Sequence, residues 1–358
     1  MCNTSLHAFL EALPKAEHHM HLEGSLEPEL LFELAAKNDI TLPSSDPAFA
    51  SPECLRKRYE NFQNLDDFLS YYYIGMSVLI DKADFEALAY AYFAKAASQN
   101  VRHAEVFFDP QAHASRGVEL STIVESFSRA QERAAVDFGM TTKLIMCLLR
   151  HLPLYEAMEM FSQARDGGYY ANGTLAGVGM DSSEAPFPPP LWKDLYDVAK
   201  ELDIRRTIHA GEEGPPLYVS QALDILDVER IDHGVRALTE GDDALVARLA
   251  SSKTLLTLCP LSNVRLNCID SIDSFPLRRL INSGIRFSIN SDDPAYFGGY
   301  ILENYCALQD AFNLSIRDWE AIAKGAVLGS WCTEERKEQL LIEIKDVADK
   351  WSRESEKE

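Results

Sequence analysis

The segment Glu17-His18-His19-Met20-His21-Leu22-Glu23-Gly24 places three histidines within four positions. If it is extended, side chains alternate, so His19 and His21 share one face while His18 and Met20 share the other. Two imidazoles on one strand face can hold a metal ion together. Three further segments carry the same kind of chemistry: Thr207-Ile208-His209-Ala210-Gly211-Glu212, Ile231-Asp232-His233-Gly234 and Ser291-Asp292-Asp293-Pro294. Each closes a short apolar run. One carboxylate of the aspartate pair, added to the histidines, makes a donor set that leaves room for water or substrate. His7, His103, His113 and His151 join no such grouping and are read as structural.

Residues so far apart meet only if the fold brings the ends of several strands to one place. Eight short apolar or β-branched runs can serve: 16–22, 101–108, 142–149, 175–180, 206–209, 230–233, 255–259 and 286–290. From the second onward they start about 25 to 40 residues apart, with helical patterns between them. That spacing predicts parallel strands covered by helices, an α/β chain folded as a (β/α)8 TIM barrel, for which about 250 residues plus insertions suffice. In such a barrel the C-terminal strand ends converge on the active site, and His19, His21, His209, His233 and Asp292 all fall at strand ends.

The first interval is longer, about 85 residues. A helix is expected over 28–37, then a helical insertion over 41–79, where Phe62, Leu65, Phe68, Leu69 and Tyr71 to Tyr73 recur at helical spacing. Placed after a strand end, the insertion would lie over the barrel mouth as a lid. Its aromatics either pack it onto the barrel or face the substrate. Gly167, Gly168 and Gly173 mark a loop before strand four, and Pro186 to Pro190 a rigid connection before a helix at 191–201. Residues 333–358 read as a charged terminal helix, and the whole of 1–358 as one domain.

Composition narrows the class. A chain that is 46% hydrophobic and 25% charged can bury a large core. The formal net charge of -22 disfavours nucleic acid as a partner, because such binders rely on clustered Lys and Arg. Seven scattered cysteines without a C-x-x-C pair argue against a disulfide framework and for a reducing compartment, cytoplasmic or nuclear. Neither a signal peptide nor a membrane-spanning apolar run is read in the sequence, so a secreted or membrane-bound protein is not expected. Oligomeric state is not legible.

The motifs E-H-H-M-H-L-E-G (17–24), H-A-G-E (209–212), D-H-G (232–234), C-P-L-S-N (259–263) and S-D-D-P (291–294), in this order and spacing from about residue 14 to 300, resemble those of the adenosine and adenine deaminase family. The H-x-E and P-C-x-x-C pattern of the cytidine-type deaminases is absent. The resemblance implies one zinc ion held by His19, His21, His209 and Asp292, and a small purine as substrate. It further implies that Glu212 gives a proton to the purine N1, that His233 orients the attacking hydroxide, and that Asp293 hydrogen-bonds N7. Since N7 is an acceptor, Asp293 would have to donate.

Within the family, Asp181-Ser182-Ser183-Glu184 resembles the adenine-specific members more than the adenosine-specific ones. His-Leu-Glu-Gly stands where adenosine deaminases commonly have His-Leu-Asp-Gly. These features imply deamination of free adenine to hypoxanthine, with Glu23 filling the sugar space and accepting from N9, and Ser182 or Asp181 near N3. A second reading of the D-S-S-E turn is that it merely caps the next element. Adenosine, or an N6-substituted adenine nucleotide recognised through Arg56, Lys57 and Arg58, are the rival substrates. A catalytically silent barrel is the rival of another class.

Overall fold

The computed structural model describes residues 5–355. Eight parallel strands follow one another around a single sheet: β1 (Lys15–Glu17), β2 (Val101–Phe108), β3 (Thr141–Leu149), β4 (Leu175–Asp181), β5 (Arg205–His209), β6 (Arg230–Asp232), β7 (Leu255–Leu258) and β8 (Phe287–Ile289). Helices fill the intervals between the strands, and the sheet returns on itself, so the expected (β/α)8 barrel is the fold. The strands are buried along nearly their whole length, as expected where helices cover the outside and side chains fill the inside. Among the described residues no helix is long and apolar enough to cross a membrane.

β1 departs from expectation. The run 16–22 was expected to be one strand, but the regular ladder covers only Lys15–Glu17. At His18 the backbone N–H turns to the side-chain carbonyl of Asn290, 2.8 Å away. The chain then regains single bridges, Met20 with Asp292 and His21 with Phe107. His21 N–H donates to Asp292 O and Asp292 N–H to His19 O, both at 3.0 Å. The seam between first and last strands is therefore stitched by the backbones of three predicted site residues.

The interval 41–79 holds the helices Pro52–Tyr59 and Leu65–Met76. Both readings of its aromatics apply, to different faces. Tyr59 packs on Tyr296 (centroids 4.5 Å) and Phe68 on Phe297 (4.7 Å), just beyond β8. Leu65, Phe68, Leu69, Tyr72 and Tyr73 also line the cavity described below. Arg56 pairs with Glu29, and Arg58 with Asp67, so these cations are held on the outside of the insertion. The helix expected at 191–201 is a 3-10 turn (Pro189–Trp192) leading into Lys193–Glu201, and the terminal helix spans Glu334–Ser355.

Inside the barrel, Arg230 of β6 pairs with Glu105 of β2, both fully buried. Burial pushes the Glu105 carboxyl up, but the Arg230 guanidinium and then His103, whose Nε2 is 2.9 Å away, hold it well below the usual range. Removing one partner of such a pair strands the other charge. Arg230→Met is expected to destabilise the fold by about 3–5 kcal/mol, read as a lowered denaturation midpoint with unchanged slope in urea.

Candidate active site

At the C-terminal end of the barrel the predicted residues converge. His21 Nε2 lies 3.3 Å from His209 Nε2, His19 Nε2 lies 3.2 Å from Asp292 Oδ1, and His21 Nε2 lies 3.7 Å from the same oxygen. His19, His21 and His209 place one nitrogen each within 4.8 Å of the others, a spacing at which one ion could be held.

The tautomers make the fit to a cation specific. His209 Nδ1 is 3.1 Å from the Met180 carbonyl, which only accepts, so the hydrogen sits on Nδ1. Thr257 Oγ1 donates to Asp232 and lies 2.9 Å from His19 Nδ1, which therefore donates to it. His21 Nδ1 faces the Asp181 carboxylate at 3.5 Å. His19 and His209 thus each turn an Nε2 lone pair to one point, which His21 Nε2 also faces, and His19 Nε2 is buried with no hydrogen-bond partner. Metal-binding histidines characteristically donate their other N–H to a carbonyl, hydroxyl or carboxylate in this way. Facing lone pairs repel unless a cation or a proton stands between them.

Beside this centre stand His233 and Glu212. His233 Nε2 is 3.5 Å from Glu212 Oε2 and 3.8 Å from Asp292 Oδ2. Burial, and then His19, hold His233 well below the ordinary histidine range, so it is neutral. Burial, then the Asp292 charge, push Glu212 far above the ordinary carboxyl range. Asp293 is raised for the same two reasons. In both, burial favours the protonated, hydrogen-donating form. Asp292 behaves oppositely: burial raises it, but His19 outweighs this and keeps it ionised.

The backbone is strained where these groups sit. Ser182, His233 and Asp292 adopt left-handed φ values of 73°, 60° and 65°, a conformation uncommon for residues with a Cβ. Gly24 closes against Asp293: a Cβ there would stand 2.0 Å from Asp293 Oδ1 and 2.7 Å from its Cα.

Several supporting residues escaped the sequence reading. Glu184 accepts backbone N–H groups from Gly211 (2.5 Å), Glu212 (3.0 Å), Glu213 (2.9 Å) and Gly214 (3.0 Å), and so fixes the loop that carries Glu212. The D-S-S-E turn is thus a cap, but of that loop. Glu184→Gln removes the charge and turns an NH2 group toward at least one of the four donors, and we expect kcat to fall about 10–100-fold, equivalent to one charged hydrogen bond. Metal content, measured by elemental analysis, is expected to stay unchanged. Arg150, after β3, donates to His209 O at 2.5 Å and holds the end of β5.

The remaining predicted residues separate. The cavity beside the cluster encloses about 390 Å³ of non-atom space, part of it open to solvent. Asp181 and Ser182 line it, as do Glu212, His233, Asp292 and Asp293. Glu23 does not. It lies behind the wall, where its Oε1 accepts from Asp109 N–H (3.2 Å) and from His113 Nε2 (3.0 Å). Asp109 lines the cavity instead. His113 and His151, read as structural, stay out of the wall but brace it, His151 Nδ1 lying 2.6 Å from Ser182 Oγ. Asp109 ends β2 as Asp292 follows β8, so its strand-end position was the signal available for it.

Comparison with known proteins agrees with this geometry. The family profile described as adenosine deaminase matches residues 14–347. The chain is 54% identical over 344 residues to an adenine deaminase of Schizosaccharomyces pombe, covering 96% of this chain and 93% of that one. The crystal structure of an adenine deaminase from Arthrobacter aurescens superposes with a TM-score of 0.88 at 42% identity, covering 96% of this chain and 100% of that one. An amidohydrolase from Burkholderia ambifaria with bound Zn gives a TM-score of 0.86 at 25% identity, covering 98% of each chain. A profile match across nearly the whole length, on a barrel whose strand ends gather histidines and carboxyls at one point, is decisive: the chain belongs to the adenosine deaminase family.

Proposed function

We propose that this chain hydrolyses free adenine to hypoxanthine and ammonia, with a zinc ion held by His19, His21, His209 and Asp292. The observation that carries the reading is the convergence of three Nε2 atoms and a carboxylate beside Glu212, a carboxyl that burial pushes toward its protonated form. A zinc ion bound there supplies Lewis acidity and lowers the pKa of its water from 15.7 to about 7; the zinc-bound neighbour supports zinc among the divalent ions such a donor set accepts.

The other steps belong to the chain's own residues. Glu212 gives its proton to N1, which makes C6 electrophilic. His233, being neutral, hydrogen-bonds the attacking hydroxyl and holds its orientation. Asp293 donates to N7 and fixes the plane of the ring. Addition of water at C6 and loss of the exocyclic amine as ammonia complete the balance. Asp181 and Ser182 line the wall and are assigned to the N3 side.

Adenine is favoured over larger substrates on three grounds. The wall contains no Lys or Arg among the described residues, which argues against a phosphate. The cavity is small and covered by the helix Leu65–Met76, here assigned as a lid. The relatives reported above that share 42–54% identity are named adenine deaminases. A cytoplasmic enzyme is part of the same proposal. Incubating the zinc-loaded protein separately with adenine, adenosine and adenosine monophosphate tests it by ammonia release. Adenine is expected to react with the highest kcat/KM. Preference for adenosine would refute the base reading alone, and no release from any of the three would refute deamination.

A further inference from the structure

The proposed chemistry occupies three points of the purine: C6 at the metal centre, N1 at Glu212 and N7 at Asp293. It leaves the far edge, N3 and N9. In a free base N9 can carry a hydrogen, whereas in a nucleoside it carries the sugar. Glu23, the sequence's candidate for reading that difference, stands outside the cavity lining with its Oε1 engaged. The Arg116 guanidinium donates to His113 Nδ1 at 2.6 Å, so the His113 hydrogen must lie on Nε2, and it is given to Glu23 Oε1 at 3.0 Å. The same oxygen takes the backbone N–H of Asp109.

Asp109 itself is 1% exposed, lines the cavity, and has an Oδ1 with no partner in the protein. Asp181, whose carboxyl lies within 4.8 Å of it, also lacks a hydrogen-bond partner, but His21 Nδ1 stands 3.5 Å away from it. Asp109 has only the Asp181 carboxyl and the Tyr72 hydroxyl beside it, and no lysine or arginine faces it from the cavity wall. A buried acceptor left unpaired is costly, so the donor is expected to arrive with the ligand.

We propose that Asp109 is the specificity-determining residue, accepting the hydrogen on the ring nitrogen that bears the sugar in a nucleoside, with Glu23, His113 and Arg116 as its brace. The inference rests on the reading of the substrate as a purine base with its amine at the metal centre. A substituent on N9 removes the donor and crowds the carboxylate, and sites built to pair a specific N–H reject analogues lacking it strongly.

The test measures kcat and KM for adenine and 9-methyladenine with the zinc-loaded wild type, Asp109→Leu and Asp109→Ala. The variants are expected to lose about 10–100-fold in kcat/KM for adenine, mainly through KM. Their preference for adenine over 9-methyladenine should collapse at least about tenfold. A purely structural role lowers both substrates together, and an unchanged ratio with an active wild type overturns the inference alone. Wild type inactive on adenine overturns the underlying reading along with it. Should Asp109→Ala fail to fold, Asp109→Leu, of similar size and without an acceptor, carries the comparison.

Discussion

Glu212→Gln is expected to keep the metal and lose about 10²–10⁴-fold in kcat, the range attributed to a positioned general acid. Glutamine preserves the shape and can still donate a hydrogen bond, but it cannot release a proton to a ring nitrogen. Glu212 is 3% exposed, and its Oε1 has no partner in the protein, so the proton it carries is free for a ligand. Its carboxyl is raised by burial and then by Asp292. Activity should therefore fall on the alkaline side, as Glu212 ionises.

The stability consequence has a definite sign. A carboxyl whose pKa is higher folded than unfolded favours the folded state below the unfolded value, and this contribution is lost as pH rises through the folded value. Above the ordinary carboxyl range the native protein must either keep a proton on Glu212 or bury its charge. Glu212→Gln has neither cost and should gain stability over wild type as pH rises through that window. Metal content by elemental analysis, kcat by ammonia release and thermal midpoints across pH check the three parts. A variant of near-native rate would remove Glu212 from the acid role.

The contrast between what could and could not be read in the sequence has a physical origin. Parallel strands buried on both faces leave short apolar runs, and these gave β2 and β3 nearly to the residue. Strand ends followed by His or Asp were legible because barrel geometry assigns those positions one destination. β1 misled because periodicity carries no information about a side chain replacing a ladder partner, as Asn290 does for His18. Glu23 shows a related limit: the partners of its Oε1, His113 and Asp109, lie about 90 residues further along the chain. Glu184 shows the converse. Its type and position were visible, but the four N–H groups it collects come from a loop nearly thirty residues later.

Chelation at neutral pH is expected to reduce turnover to background without unfolding the barrel, and acid should release the metal in competition with one proton. In the metal-free site the imidazoles are not equivalent. Burial pushes His21 down to about 3, and burial followed by the His19 charge holds His209 well below the usual range. For His19, burial works against the charged form, but the Asp292 carboxylate overcomes it and the pKa rises. The first proton therefore goes to His19 and pairs with Asp292, taking the place of the ion between lone pair and carboxylate. Because the folded pKa of His19 is raised, this pairing stabilises the metal-free fold below the ordinary histidine value and fades as pH rises through the raised one. Metal affinity should accordingly fall about tenfold per pH unit on acidification, a slope of about one proton rather than three. Titrating the chelated protein with zinc at several pH values measures that slope, and a value near three would mean that the histidines charge independently and that Asp292 does not share their centre.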